Sequence, residues 1–103
     1  MLDKELADLL PSHVPVYFVR VTEQDSYYGS CHAKQFIFTD RFEELEFIKR
    51  KYIVLHELAH FNTSEDHGEL FYQEMERLIE QHGMDWSIAR EVEQVYPMRW
   101  KDK

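Results

Sequence analysis

The segment that most restricts the fold is VLHELAH, residues 54–60, which lies inside a long run of helix-forming residues. His56 and His60 are four residues apart and Glu57 directly follows the first, which is the pattern HExxH. On an α-helix, residues four apart lie on one face, one turn from each other, so both imidazoles can reach the same ion. The sequence therefore predicts a helix that is packed against a core on one face and offers two metal ligands on another.

The bounds of this helix and its core face follow from capping residues and periodicity. Asp40 followed three residues later by Glu43 is an acidic variant of the capping box, which predicts that the helix begins near residue 40 and continues through the HExxH pattern to Phe61. Apolar residues recur at intervals of three and four along one side of it. The predicted core positions are Ile48, Tyr52, Leu55 and Ala59.

The remaining elements are shorter. Periodicity, caps and turn residues predict helices over residues 3–10, 67–82 and 85–95, and strands over residues 15–22 and 34–40. A further strand over residues 27–31 is an alternative for the segment around Gly29. The first strand is expected to be mostly buried and to pair with the second in a small antiparallel sheet. Asp66 caps the helix that Gly83 ends, and Phe71, Met75 and Leu78 form its apolar stripe, with His82 as a further candidate. The predicted class is α+β.

Composition limits the size, location and partners of the protein. The 103 residues, 44% of them hydrophobic, suffice for one domain, 1–103, with one modest core. The single cysteine, Cys31, excludes an internal disulfide and favours a reducing compartment. The start of the chain carries acidic residues and only a short apolar run, which predicts a cytoplasmic protein that does not enter a membrane. The formal net charge of −8 argues against binding nucleic acid, which requires a basic face.

A metal site needs more than two ligands. Zinc suits imidazole, and catalytic zinc usually takes three protein ligands and leaves one position for water. His67 is the favoured third ligand, because the segment NTSED, residues 62–66, breaks the helix and can turn the chain back. Glu80 is the main alternative, and Glu74 and Glu76 are further ones. A solvated, charged helix face would also explain these glutamates without any metal.

The sequence resembles a known family in two segments. YGSC, residues 28–31, and VLHELAHFNTSEDHGELFY, residues 54–72, are similar to the YgjP-like metallopeptidases, which are related to the SprT-like and WLM groups. The resemblance implies that His56, His60 and His67 bind zinc and that Glu57 is the catalytic base. The implied fold is a minimal zincin-like domain, in which a small antiparallel sheet packs on the HExxH helix and further helices flank it.

A zinc-dependent hydrolase of the metallopeptidase type is the expected function. Zinc lowers the pKa of a bound water, and Glu57 can accept the proton as the water attacks a peptide carbonyl. The candidates for a second electrophile, which would stabilise the developing oxyanion, are Tyr28, His32 and Tyr72, with Tyr27 as a further one. If the YGSC strand has a free edge above the metal, an extended peptide or protein substrate can pair with it.

Two other functions remain open from the residues alone. Zinc-dependent hydrolysis can also attack phosphorus, as in a nucleotide pyrophosphohydrolase, although the sequence has no glycine-rich phosphate loop. A non-catalytic, zinc-stabilised interaction module with a protein partner is the third possibility. A role at protein–DNA crosslinks, by analogy with SprT-like proteases, is disfavoured for this chain alone by its acidic charge.

Overall fold

The computed structural model describes residues 2–21, 27–32, 34–64 and 67–92 and confirms the α+β class. The helices are α1 (Lys4–Ala7), α2 (Asp40–Glu43), α3 (Phe47–Thr63), α4 (Glu69–Gln81) and α5 (Trp86–Val92), and the strands are β1 (Val16–Val19), β2 (Gly29–His32) and β3 (Gln35–Thr39). Helix α3 packs against α4, α5 and β2, and its segment from Tyr52 to Ala59 is buried except at His56. None of the described helices is long and apolar enough to cross a membrane.

The sheet is mixed, so the prediction of an antiparallel sheet was wrong. Its strand order is β1-β3-β2, with β1 parallel to β3 and β2 antiparallel to β3. Residues 29–32, which the sequence offered only as an alternative strand, form the hairpin with β3. Because β2 reverses the chain between β1 and β3, the first and third strands run in the same direction. The strand pair expected from the sequence is present, but its direction is the opposite.

Strand β2 lies very close to β3 and is fixed at its start. A Cβ atom at Gly29 would lie 3.0 Å from Phe38 Cδ1 and 3.1 Å from the Ile37 carbonyl oxygen, so a side chain there would need the hairpin to shift. The Thr39 hydroxyl donates to the Tyr27 carbonyl oxygen at 2.8 Å, and the Thr39 N–H donates to the Tyr28 carbonyl oxygen at 3.0 Å. These contacts fix where β2 begins relative to the central strand.

Strand β1 is largely exposed, which corrects the expectation of a mostly buried strand. Tyr17 is 50% exposed, and Phe18 and Val19 are each 39% exposed. The strand lies at one edge of the sheet, whereas α3 packs against β2 at the other edge. The apolar character of β1 therefore reflects strand propensity more than burial.

The predicted helix over residues 40–61 is two helices. Thr39 rather than Asp40 caps α2, with its Oγ1 accepting from the Phe42 N–H at 3.4 Å. The chain turns after Glu43 because Phe42, 1% exposed, packs on Phe38 with ring centroids 4.6 Å apart. Of the predicted core positions, Tyr52, Leu55 and Ala59 are buried, but Ile48 lies in the first turn of α3 and is exposed.

The end of α4 is as the sequence predicts. Gly83 has a φ of 62°, and the Met84 N–H donates to the Ile79 carbonyl oxygen at 3.0 Å while the Gly83 N–H donates to that of Glu80 at 3.2 Å. This pair of bonds is a Schellman motif, for which glycine is the favoured residue. Phe71, Met75 and Leu78 of the predicted stripe are buried in the core, whereas the further candidate His82 is half-buried at the end of the helix. Residues 93–95 of the last predicted helix, and the proposed cap Asp66, lie outside the described residues.

Candidate metal centre

Three imidazoles converge beside α3. His56 and His60 lie one turn apart on that helix, and His67 lies between α3 and α4. The Nε2 atom of His56 is 3.2 Å from Nε2 of His60 and 3.2 Å from Nε2 of His67. The three possible ligand atoms all lie within 4.8 Å of one another, and the three rings are half-buried. The predicted turn of the chain after α3 thus brings His67 to the two helical histidines.

The spacing of these nitrogens fits a bound metal ion. Nitrogens bound at about 2.0–2.1 Å to a tetrahedral ion are separated by about 3.3–3.4 Å, close to the 3.2 Å found here. A neutral imidazole nitrogen has either one proton or one lone pair, so Nε2 of His56 cannot make good hydrogen bonds to both neighbours at once. A cation between the three nitrogens would use the lone pair of each. Imidazole suits several divalent metals, so the ligands favour a metal without choosing one.

Two of the described residues between α3 and α4 have left-handed backbone. Ser64, with a φ of 54°, ends α3, and its N–H donates to the His60 carbonyl oxygen at 2.8 Å. His67 has a φ of 44°, which is uncommon outside glycine, although histidine adopts it more often than most residues. Gly68 then precedes α4 and accepts from the Tyr72 N–H at 3.1 Å. The third imidazole therefore belongs to a residue with left-handed backbone that lies two residues before α4.

A phenylalanine ring contacts all three histidines. The centroid of the Phe71 ring is 4.3 Å from that of His60, 4.9 Å from that of His56 and 5.0 Å from that of His67. The ring of His60 is stacked on it, at an interplanar angle of 26°, and the other two meet it edge-on, at 66° and 84°. The sequence placed Phe71 in the core but missed this contact. Phe71 follows His67 by four residues at the start of a helix, and this spacing is the feature of the sequence from which the contact could have been predicted.

Glu57 is a buried carboxylate on the HExxH helix. Its side chain is 4% exposed, and α3 packs against β2. Burial raises the pKa of the Cys31 thiol in β2, and the negative charge of Glu57 raises it further. The carboxylate of Glu57 is therefore close enough for its charge to act on the Cys31 thiol across the contact between α3 and β2. Cys31 is outside the group of three histidines.

This proximity predicts slow alkylation of Cys31. A raised pKa means less thiolate at a given pH, so the pH profile of alkylation in the metal-free protein should lie at higher pH than that of the unfolded chain. Glu57→Gln removes the charge and should move the profile part of the way back. Reaction with iodoacetamide, followed by mass spectrometry across a pH series, measures both effects. A profile that Glu57→Gln leaves unchanged would contradict the placement of the carboxylate.

The alternative carboxylate ligands are not part of the cluster. Among the described residues, the one group of three or more potential ligands consists of the histidines. Glu80 is exposed on α4. Glu74 accepts from Arg77 Nε at 2.6 Å and from Asn62 Nδ2 at 2.7 Å, and Arg77 is the main cause of its lowered pKa. Glu76 also lies on α4, outside the group.

The candidates for a second electrophile differ in how they are placed. The Tyr72 ring lies 5.2 Å from that of Phe71, edge-on, so it is one ring away from the histidines. Tyr28 directly precedes β2 and is 36% exposed, and Tyr27 is 42% exposed. His32 belongs to β2, but its side chain is outside the described part of the structure.

The profile of one family, described as YgjP-like, metallopeptidase domain, matches residues 4–91, which is most of the chain. This range includes both segments in which the resemblance was seen and all three histidines. No curated protein and no solved structure matches the chain significantly.

Proposed function

Because the chain belongs to the YgjP-like metallopeptidase family, we propose that it is a zinc-dependent peptidase whose metal is held by His56, His60 and His67. The observation that supports this most directly is the convergence of three imidazoles, in which Nε2 of His56 lies 3.2 Å from Nε2 of His60 and 3.2 Å from Nε2 of His67. Their number leaves the fourth tetrahedral position for water or substrate, as in catalytic zinc sites. The metallopeptidase family favours zinc over the other metals that imidazole can bind.

Glu57 is the proposed general base. Zinc at the histidines would lower the pKa of a coordinated water to near 7 and polarise the substrate carbonyl. Glu57 directly follows His56 on α3, and its buried carboxylate is close enough to β2 for its charge to raise the pKa of the Cys31 thiol. From there it would accept the proton of the attacking water and pass it to the leaving amine. Because the carboxylate is buried, it has little freedom to turn away, and this favours proton transfer from the same position in every turnover.

The proposed substrate is an extended peptide that pairs with β2. Strand β2 is at the edge of the described sheet, bonded to β3 along one side, and α3 packs against it. An edge strand offers unpaired backbone N–H and C=O groups, to which a peptide can add as a further strand. A peptide in that position would lie next to the strand that carries Cys31, the residue whose thiol pKa the charge of Glu57 raises. Tyr28, immediately before β2, and Tyr72 are the proposed donors to the developing oxyanion.

One experiment separates this proposal from its two alternatives. Elemental analysis of the purified protein should give about one zinc per chain. The same preparation is then incubated with an unstructured protein substrate and, in parallel, with nucleoside triphosphates. We expect cleavage of the polypeptide only, loss of activity with a chelator, and recovery when zinc is added. Turnover of the triphosphates alone would indicate a pyrophosphohydrolase. Zinc binding with no turnover, and unfolding on chelation, would indicate an interaction module.

A further inference from the structure

We propose that Phe71 is a positioning residue of the metal site, whose ring fixes the orientation of all three imidazoles before the metal binds. This inference rests on the proposed zinc site, and it assigns a task to a residue that is neither a ligand nor a base. The observation behind it is that one fully buried ring contacts His56, His60 and His67 together, with centroids 4.3–5.0 Å apart.

The orientation of each imidazole depends on this contact. The torsion that rotates a histidine ring about its Cβ–Cγ bond has broad minima, so the ring needs a neighbour to fix it. His60 lies against the face of Phe71, while His56 and His67 meet it edge-on from two other directions. Rotation of any of the three would press it into the phenylalanine. The flat ring therefore limits each histidine to orientations near the one that directs Nε2 toward the other two.

Phe71 is held by the core rather than by the site. It is 0% exposed and lies in the first turn of α4, the helix that packs most extensively on α3. Further along, Glu74 binds both Arg77 on its own helix and Asn62 on α3 with hydrogen bonds of 2.6–2.7 Å. These contacts, which do not involve the metal, fix α4 relative to α3. A ring placed in this way can order the ligands in the metal-free protein, which reduces the ordering that metal binding must supply.

The test compares two substitutions of Phe71 with a matched one elsewhere. Phe71→Leu and Phe71→Met keep an apolar side chain but remove the flat ring, and methionine fills irregular space with little strain. Phe42→Leu is the control, since Phe42 is 1% exposed and its described ring contact is with Phe38. Zinc affinity is measured by competition with a chromophoric chelator, and the thermal midpoint of each metal-free protein is recorded. Visible spectra of the Co²⁺ forms report ligand geometry.

We expect zinc binding by the Phe71 variants to weaken by about 10–100-fold, the range found for residues that orient metal ligands. Phe42→Leu should lower the thermal midpoint but leave zinc affinity within about threefold of the wild type. The Co²⁺ spectrum should change in the Phe71 variants only. Equal affinities in Phe71→Met and the wild type would overturn the positioning role, as would an equal loss in the control.

A measurement on the wild type covers the case in which neither variant folds. Protons of an imidazole stacked on the face of an aromatic ring resonate upfield, so the ring protons of His60 should be shifted upfield in the metal-free protein and stay so when zinc is added. An upfield shift that is absent without zinc would show that the metal, not Phe71, orders the ring. A wild type that binds no zinc would remove the proposed function and this inference with it, whereas zinc binding with unchanged Phe71 variants would remove the inference alone.

Discussion

Glu57→Gln is expected to lower kcat by about 10²–10⁴-fold, the contribution usual for a general base, while zinc content stays the same. Glutamine has almost the same shape as glutamate but cannot accept the proton, so the buried position is filled and the transfer is lost. The side chain is 4% exposed, which leaves bulk water little access as a substitute base. Peptidase rates and elemental analysis of the same preparation are the two measurements needed.

The control for this substitution is a glutamate far from the site. Glu5 is exposed in the first turn of α1, and Glu5→Gln makes the same chemical change without altering a buried group. Its kcat should stay within about twofold of the wild type, as surface substitutions usually have small effects. If Glu57→Gln retained full turnover, Glu57 would not be the base. If it lost the zinc as well, its role would be to support the ligands.

The second large effect is expected when the third imidazole is removed. His67→Asn should weaken zinc binding by at least about 100-fold, because even residues that only orient ligands contribute about 10–100-fold. Asparagine is chosen over alanine because the backbone at residue 67 has a φ of 44°, a conformation that asparagine adopts readily. The substitution thus removes the imidazole and adds little strain. Zinc affinity and peptidase activity should fall together.

Glu80 provides the matching comparison, as the alternative third ligand. It is exposed on α4, so Glu80→Gln should leave zinc affinity and activity close to those of the wild type. The opposite result, with zinc retained in His67→Asn and lost in Glu80→Gln, would mean that the carboxylate is the third ligand. The zinc affinity of a double variant, His67→Asn with Glu80→Gln, shows whether one of the two residues partly replaces the other as the third ligand.

How well the site could be predicted depends on whether its residues share an element. His56 and His60 are four residues apart on one helix, and helical geometry alone brings their side chains together. His67 joins them across a turn in which Ser64 and His67 have left-handed backbone, with φ of 54° and 44°. Neither residue is a glycine, so the sequence does not indicate that these two positions have left-handed backbone. The sequence marked the helix break at residues 62–66, but the direction of the returning chain depends on how α4 packs on α3.

The errors in the fold have a similar origin. The antiparallel sheet was predicted because β1 and β3 were treated as consecutive strands. The short β2 lies between them in sequence, so β3 runs in the same direction as β1. The exposure of β1 follows from its place at the edge, which a run of apolar residues does not reveal. The break after Glu43 depends on Phe42 turning inward onto Phe38. None of these three features can be predicted from the local preference of one segment alone.

The backbone at His67 also has a consequence for engineering. A left-handed conformation is unfavourable by roughly 1–2 kcal/mol for residues with a side chain, and glycine avoids most of this. A campaign that selects only for thermal stability in metal-free conditions would therefore favour His67→Gly and enrich heat-resistant proteins without the third imidazole. Libraries of this protein should be screened for zinc binding as well as for thermal stability in the same round, so that stability is not gained by losing the third imidazole.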